Sequence, residues 1–213
     1  MAMLEDLRND PVVSASCLEF DDIFAQSHVS RYHMVRTMRD QNNAEHHYRV
    51  AMIALKLYSA LVACRCELGQ SDCAVDPVEE RNILICALVH DLPEWELGDP
   101  PAPTKRIPAI KDAFSKLEVN FWQRRGVVGH WSELVTHLVK TADLTEGYIF
   151  SFHNQGLGHR YPDQRWKFVV EGLEQALRVY VDKLPHPAFP FEFRALLLRL
   201  IFDQKLGIAD QHA

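Results

Sequence analysis

Apolar residues recur along this chain at intervals of three and four, and no stretch alternates long enough to build a sheet. From Asn43 to about Cys66, the residues Val50, Ile53, Ala54, Leu57 and Leu61 share one face of a helix. A second helix opens at Asp76-Pro77-Val78-Glu79, where Asp76 can cap, Pro77 suits the first helical position and Glu79 can reach back as in a capping box. It turns Ile83, Leu84, Ala87 and Leu88 toward a core and runs into His90-Asp91. Pro93 removes the hydrogen bond to Val89, so the last turn is expected to kink or loosen. Gly98-Asp99-Pro100-Pro101 then continues neither a helix nor a strand.

The same periodicity predicts a helix from Pro108 to Arg125, carrying Ile110, Phe114, Leu117 and Phe121 and stopped by Gly126. Another spans Trp131 to His153, with Leu134, Val135, Leu138, Val139 and Ala142 on its apolar face. Two more lie near Gln164–Lys183 and Phe191–Lys205, separated by the segment LPHPAFP, and a short first helix covers Leu18 to Gln26. Residues 1–16 are polar and unpatterned and are expected to form a flexible N-terminal tail. There is no internal repeat. Residues 17–213 therefore read as a single all-α domain.

With 213 residues and 47% hydrophobic content, the chain can bury a sizeable core in one domain. A net charge of −6, with Lys and Arg scattered singly, argues against a nucleic-acid polymer as partner while allowing a local basic pocket. No apolar run approaches the roughly 18 residues that span a bilayer, and MAMLEDLRND lacks the order of a signal peptide. No membrane contact and a cytoplasmic location are the expectation. Five cysteines, odd in number and without a CxxC pair, suggest neither a disulfide framework nor a structural zinc site.

The chemistry lies where acids and histidines interrupt the apolar stripes. At about 100° per residue, His46 falls within a narrow arc of Val50, Ile53 and Leu57 and points inward, whereas His47 leaves that stripe and is expected at the surface. His90 follows Ile83 and Ala87, Asp91 continues the side of Leu84 and Ala87, and Glu94 comes about one turn later. Asp143 lies near the line through Val135, Val139 and Phe150, and a carboxylate on an apolar face requires a partner or a cation. Taken singly, each has an ordinary explanation, since an inward histidine is more often a hydrogen-bonded core residue than a ligand. Together, two imidazoles and two carboxylates suit a divalent ion with mixed nitrogen and oxygen ligands, such as Mn, Co, Fe or Ni, with Zn also compatible. Such an ion supplies a deprotonated water and polarises a phosphoryl oxygen, which points to phosphate-ester hydrolysis. Arg31, Arg36 and Arg39, interleaved with Tyr32, form either a wall for an anionic ligand or a solvated connector.

These residues carry a resemblance. The order H…HD…D in helical surroundings resembles the HD-domain metal-dependent phosphohydrolases, and four blocks look like the bacterial 5′-deoxynucleotidase branch. They are Arg31-Tyr32 followed by Met38-Arg39; Ala44-Glu45-His46; His90-Asp91 with Glu94, Gly98-Asp99, Pro103 and Lys105; and Lys140 with Ala142-Asp143. The resemblance covers residues 31–150 and implies an HD-domain helical bundle, to which the periodicity adds C-terminal helices within 160–206 that no motif covers. It implies one divalent ion held by His46, His90, Asp91 and Asp143. It implies that Glu94 handles the proton of the attacking water or leaving oxygen, and that Asp99 helps hold that water or the sugar. Arg31 and Lys105 would grip phosphate, for which a forked guanidinium and a point-charge ammonium are suited. The implied substrate is a 2′-deoxynucleotide attacked at its 5′ phosphate, and the relatives suggest a homo-oligomer. A related viral branch resembles this layout and removes triphosphate from deoxynucleoside triphosphates, notably dATP.

Departures from that pattern bear on specificity. The family position next to Arg31 is usually Trp, packed where a ribose 2′-hydroxyl would project, and Tyr32 is smaller and polar-tipped. His33 replaces a common Pro, and Pro93 with the lip Pro100–Pro103 is unusual. Arg36, Arg39 and Arg106 could serve a longer phosphate chain, so monophosphate and triphosphate substrates both stay open. A non-catalytic nucleotide-binding regulatory domain would show loss of a ligand, and all four are present. Alarmone hydrolases usually carry two consecutive acids after HD, whereas Glu94 is followed by Trp95. Binuclear HD enzymes need further histidines; His130 and His137 are available, but His137 falls about 120° from Asp143 on the wheel. Leu196, Leu197, Leu200 and Ile201 on the last helix offer an interface or more core.

Overall fold

The computed structural model describes residues 18–69, 74–127, 131–156, 164–181, 183–184 and 191–202; the tail at 1–16, His130 and residues 203–205 of the last predicted helix lie outside them. Regular structure among the described residues is helical: α1 (Phe20–Ala25), α2 (Asn43–Glu67), α3 (Pro77–Val89), α4 (Glu94–Leu97), α5 (Ala102–Lys105), α6 (Pro108–Arg124), α7 (Glu133–Gly156), α8 (Gln164–Val181) and α9 (Phe191–Phe202). The all-α expectation holds. None of these helices is long and apolar enough to cross a membrane.

The predicted stripes of α2 and α7 meet in the main core. Val50, Ala54, Leu57 and Leu61 of α2 pack with Ile83 and Ala87 of α3, Val135, Leu138, Val139 and Ala142 of α7, and Leu177 and Val181 of α8. Each fully buried Leu, Ile or Val contributes about 1.5–3 kcal/mol. Leu197 and Ile201 join that core, which settles those two residues of α9 as packing rather than interface. The side chains of Leu196 and Leu200 lie outside the described ones.

Two apolar predictions are corrected. Leu84 and Leu88 of α3 are 36% and 42% exposed, on a part of that helix that α2 and α7 leave uncovered. Leu117 of α6 is likewise exposed, while Phe121 of the same helix is fully buried against Val89 and Leu92. The start of α3 also differs from the expected capping box. Asp76 accepts from the Val78 amide at 2.8 Å, but its own amide donates to the Tyr58 hydroxyl, which in turn donates to Glu79 at 2.9 Å. A hydroxyl from α2 thus stands where a direct Glu79 contact was expected.

Beyond α3 the chain makes a tight turn over His90–Pro93 before α4, as the lost hydrogen bond at Pro93 requires. Gly98 then adopts φ 77°, a left-handed conformation that ends α4. Asp22 of α1 braces α4 from outside. Its carboxylate accepts from Arg125 Nε at 2.9 Å, from Trp95 Nε1 at 3.1 Å and from the Glu19 amide at 3.0 Å.

Candidate active site

Four segments converge at the N-terminal part of α2. The segment 29–43 folds back on itself: Arg31 donates its amide to the Gln41 carbonyl at 2.9 Å, and Asn43 donates to Val29 at 3.1 Å. Asn42 then caps α2 by accepting from the Glu45 amide at 2.9 Å. This closure brings Arg31 and Tyr32 over the first turn of α2, where His46 points inward. The turn after α3 supplies His90 and Asp91, and the middle of α7 supplies Asp143.

The four predicted ligands meet. His46 Nε2 lies 3.3 Å from His90 Nε2, 3.3 Å from Asp143 Oδ1 and 3.7 Å from Asp91 Oδ2, and His90 Nε2 lies 3.3 Å from Asp91 Oδ2. Hydrogen bonding on the far side of each ring settles its tautomer. His90 Nδ1 is 2.9 Å from the Ala87 carbonyl, which can only accept, so Nδ1 carries the hydrogen. His46 Nδ1 is 2.8 Å from Glu146 Oε2. Burial works against ionisation of Glu146, yet its contacts with His46 and Arg31 hold its pKa below the usual range, so this oxygen also accepts. In the neutral rings both Nε2 atoms therefore turn lone pairs toward each other and toward two carboxylate oxygens. Such a cluster is repulsive unless a cation or proton stands within it, and its mixed nitrogen and oxygen donors fit a divalent metal. His46, His90 and Asp143 each offer a ligand atom within 4.8 Å of the others, whereas Asp91 does so together with His90 and His47.

Electrostatics agree. Burial opposes charge on Asp143, but Lys140 and His46 outweigh it and hold its carboxyl well below the ordinary range. Asp91 is held low in the same way by His90 and Arg31. Lys140 Nζ donates to Asp143 Oδ2 at 2.5 Å, and Arg31 Nη1 donates to Asp91 Oδ2 at 3.0 Å. Burial alone would lower His90, yet Asp91 and Asp143 raise it, so the centre attracts positive charge from any source.

Glu94 behaves differently. Burial first, then the charges of Asp91 and Asp99, push it up to about 7, against Lys105 and Asn43. Lys105 Nζ donates to Glu94 Oε1 at 2.9 Å and reaches Asp99 Oδ1 at 3.4 Å, while Asn43 Nδ2 donates to Glu94 Oε2 at 2.9 Å. A carboxyl that titrates near neutrality beside the acidic centre can accept or return a proton. Asp99 touches this group only through Lys105.

Tyr32 takes φ 56°, unusual for a residue with a side chain, and lays its ring on Phe150 at 5.2 Å between centroids. Gly147 makes room for it, since a Cβ there would stand 3.0 Å from the Tyr32 hydroxyl. Arg36 and Arg106 are exposed, and Arg39 pairs with Glu45.

One expectation fails. His47 is 3% exposed, not a surface residue. It faces an apolar cavity of about 360 Å³ between α1 and α3, lined by Ile23, Ile85, Leu88 and Leu92. His137 pairs with Glu133 at 3.4 Å, one turn along its own helix. Two residues that sequence reasoning missed complete the surroundings. Asn43 was hidden by its role at a helix start; Glu146, three residues past Asp143, shares its face and carried a readable signal.

Comparison with known proteins places the chain among its relatives. The sequence model of the 5′-deoxynucleotidase YfbR-like family matches residues 20–127. A dATP triphosphohydrolase of Salmonella phage PMBT28 is 37% identical over 166 residues, 76% of this chain and 77% of that protein. The dATP triphosphohydrolase of Cyanophage S-2L is 31% identical over 159 residues, 71% of this chain and 78% of that protein. In three dimensions, the Cyanophage S-2L HD phosphohydrolase (DatZ), solved with dA and one catalytic Zn2+ ion, shares the fold with a TM-score of 0.64 at 22% identity, over 91% of this chain and 98% of that one. The helical order, the H…HD…D motif and these matches converge on one conclusion: the chain belongs to the 5′-deoxynucleotidase YfbR-like family of HD-domain phosphohydrolases.

Proposed function

We propose that this protein is a divalent-metal-dependent phosphohydrolase of 2′-deoxynucleotides, and within that class a dATP triphosphohydrolase. The observation that carries the reaction class is the meeting of two imidazole lone pairs and two carboxylate oxygens across 3.3–3.7 Å, with Glu94 and two cations beside them. The phage relatives, both named for dATP, support the choice of substrate.

His46, His90, Asp91 and Asp143 would hold the ion, with Zn, Co, Mn, Fe and Ni all compatible with the donor set. When bound, the ion supplies an activated water and polarises a phosphoryl oxygen. Glu94 takes the proton of the attacking water or returns one to the leaving 5′ oxygen. Lys105 orients that carboxylate through Oε1 and, with Arg31, offers positive charge to the phosphate in the transition state. Tyr32, fixed on Phe150, walls the sugar where a 2′-hydroxyl would project. Asp99, tied to Lys105, stands at the outer lip. The same displacement at the first phosphorus releases phosphate from dAMP or triphosphate from dATP, so the two readings differ only in whether the site admits a longer chain. The family description favours the monophosphate reading, which is the alternative.

Self-association is part of the proposal, and exposed Phe20 and Phe24 of α1 and Leu84 and Leu88 of α3 supply apolar surface for it. Light scattering on the purified protein tests that point. Product analysis with dATP and dAMP side by side, with Zn, Co or Mn and with chelator, tests the function. Deoxyadenosine plus inorganic triphosphate is expected from dATP. Deoxyadenosine plus phosphate from dAMP alone selects the monophosphatase, and no product from any deoxynucleotide in the metal-loaded protein rejects the enzyme.

A further inference from the structure

We propose that Glu146 is a positioning residue for the metal centre: its carboxylate fixes the tautomer and angle of His46 and ties that ligand to the segment bearing Arg31 and Tyr32. This inference rests on the phosphohydrolase reading above and deepens it.

Glu146 is 2% exposed, on the inward face of α7 one turn past Asp143. Its two oxygens divide their work. Oε2 takes His46 Nδ1 at 2.8 Å, and Oε1 takes Gln41 Nε2 at 2.6 Å. A plain ion pair with Arg49 does not account for this. Arg49 Nη1 stands farther off, at 3.4 Å, and its Nη2 is committed to Glu45 at 2.5 Å. The short contacts go to the ligand and to Gln41.

Those contacts have two consequences. Acceptance from Nδ1 leaves the lone pair on Nε2, the atom that faces His90, Asp91 and Asp143, and an anionic acceptor also makes the imidazole a stronger donor toward a metal. Gln41, held by the other oxygen, receives the Arg31 amide on its own carbonyl at 2.9 Å. The ligand and the phosphate-facing arginine are thus registered to one buried carboxylate. Met38, whose amide donates to Asn154 of α7 at 2.8 Å, pins the same segment from its far end.

Glu146→Gln removes the charge and can turn an amide N–H toward Nδ1, which would place the hydrogen on Nε2 and present the wrong atom to the ion. Titration of the metal-free full chain with Co(II), followed calorimetrically and by visible absorption, reads this directly. The variant is expected to bind Co(II) 10- to 100-fold more weakly, with altered ligand-field bands, while helicity is unchanged. A folded variant with wild-type affinity, within twofold, and an unchanged spectrum overturns the inference and leaves the enzyme reading standing. Absence of Co(II) binding by the wild type removes that reading, and this inference with it. A second measurement needs no variant. Long-range proton–nitrogen spectra of the metal-free wild type are expected to show His46 with its hydrogen on Nδ1, and a hydrogen on Nε2 alone overturns the proposal.

Discussion

Glu94→Gln separates what the reaction gains from this carboxylate from what the fold loses by burying it. Burial and the neighbouring Asp91 and Asp99 raise the carboxyl from its ordinary value near 4.5 to about 7 in the folded protein. An acid raised on folding releases its proton earlier in the unfolded chain. Its contribution to stability is therefore full below about pH 4.5 and is lost as pH rises toward 7. Across that interval the loss amounts to about 3 kcal/mol, of which about 1 kcal/mol has already gone at pH 5. The amide of the variant imitates the protonated acid at every pH. It can still accept from Lys105, and its N–H can donate to Asn43 Oδ1, a buried oxygen that has no hydrogen-bond partner in the native protein.

The metal-free variant should therefore melt higher than the wild type at pH 8, by roughly 6–12 °C for about 3 kcal/mol in a domain of this size, and the gap should shrink to a few degrees at pH 5. A divalent ion beside Asp91 offsets part of the repulsion on Glu94, so metal should narrow the gap at pH 8. Turnover of dATP by the loaded variant should fall about 10²- to 10⁴-fold, the usual share of a general acid or base. Thermal melts by circular dichroism at both pH values, with and without Co(II), and steady-state rates test each part. An equal melting gap at pH 5 and pH 8 would refute the electrostatic argument, and near-normal turnover would refute the proton-transfer role.

Asp143→Ala removes one oxygen donor and leaves Lys140 and Arg31 without that carboxylate; Co(II) affinity should fall at least about 100-fold with little change in helicity, and stoichiometric metal in the purified variant would sink the ligand assignment. Tyr32→Ala should lower the preference for dATP over ATP by about tenfold, and Gly147→Ala, whose Cβ would crowd the Tyr32 hydroxyl at 3.0 Å, should shift the same ratio without weakening metal binding; unchanged ratios in both would place sugar selection elsewhere. Asp22→Asn breaks a buried pair with Arg125 and should cost about 3 kcal/mol, seen as a lower chemical-denaturation midpoint. Burial would raise the Asp22 carboxyl, but Arg125 and the Glu19 amide hold it below its ordinary value, so its contribution is present above that value and lost as pH falls through the folded pKa; an acid-unfolding limb unchanged by the substitution would refute this.

Periodicity made the bundle legible because α2 and α7 each bury one continuous stripe, and His46 and Asp143 lie on those stripes. A wheel assigns one buried face, however, and the first turns of α2 are covered twice. Residues of α7 close over His46, while α1 and α3 close over His47 on the other side. Nothing in the α2 repeat reveals that second cover, since α1 is only six residues long. Leu84 and Leu88 fail in the opposite direction: they stand on a part of α3 that α2 and α7 leave uncovered, and an apolar side chain there simply remains exposed. Glu79 shows a third limit, because the Tyr58 hydroxyl that meets it arrives from 21 residues away, beyond any local capping rule.

The polar residues around the centre divide along the same line. Asn43 carries no periodic signal, since a polar residue in the first turn of a helix, next to the cap Asn42, needs no further reason, and its hold on Glu94 depends on a turn 51 residues distant. Glu146 is different. It follows Asp143 by three residues on the same inward face, and a second buried acid so near the first calls for a positive or donating partner. Lys140 already answers Asp143 from its own helix. The inward histidine of α2 is then the group left to answer Glu146, and an imidazole bonded through Nδ1 must turn Nε2 toward the remaining acids. The proposed ligand set would then carry its own support: the acid that meets His46 Nδ1 is written one turn after the acid proposed to share its ion.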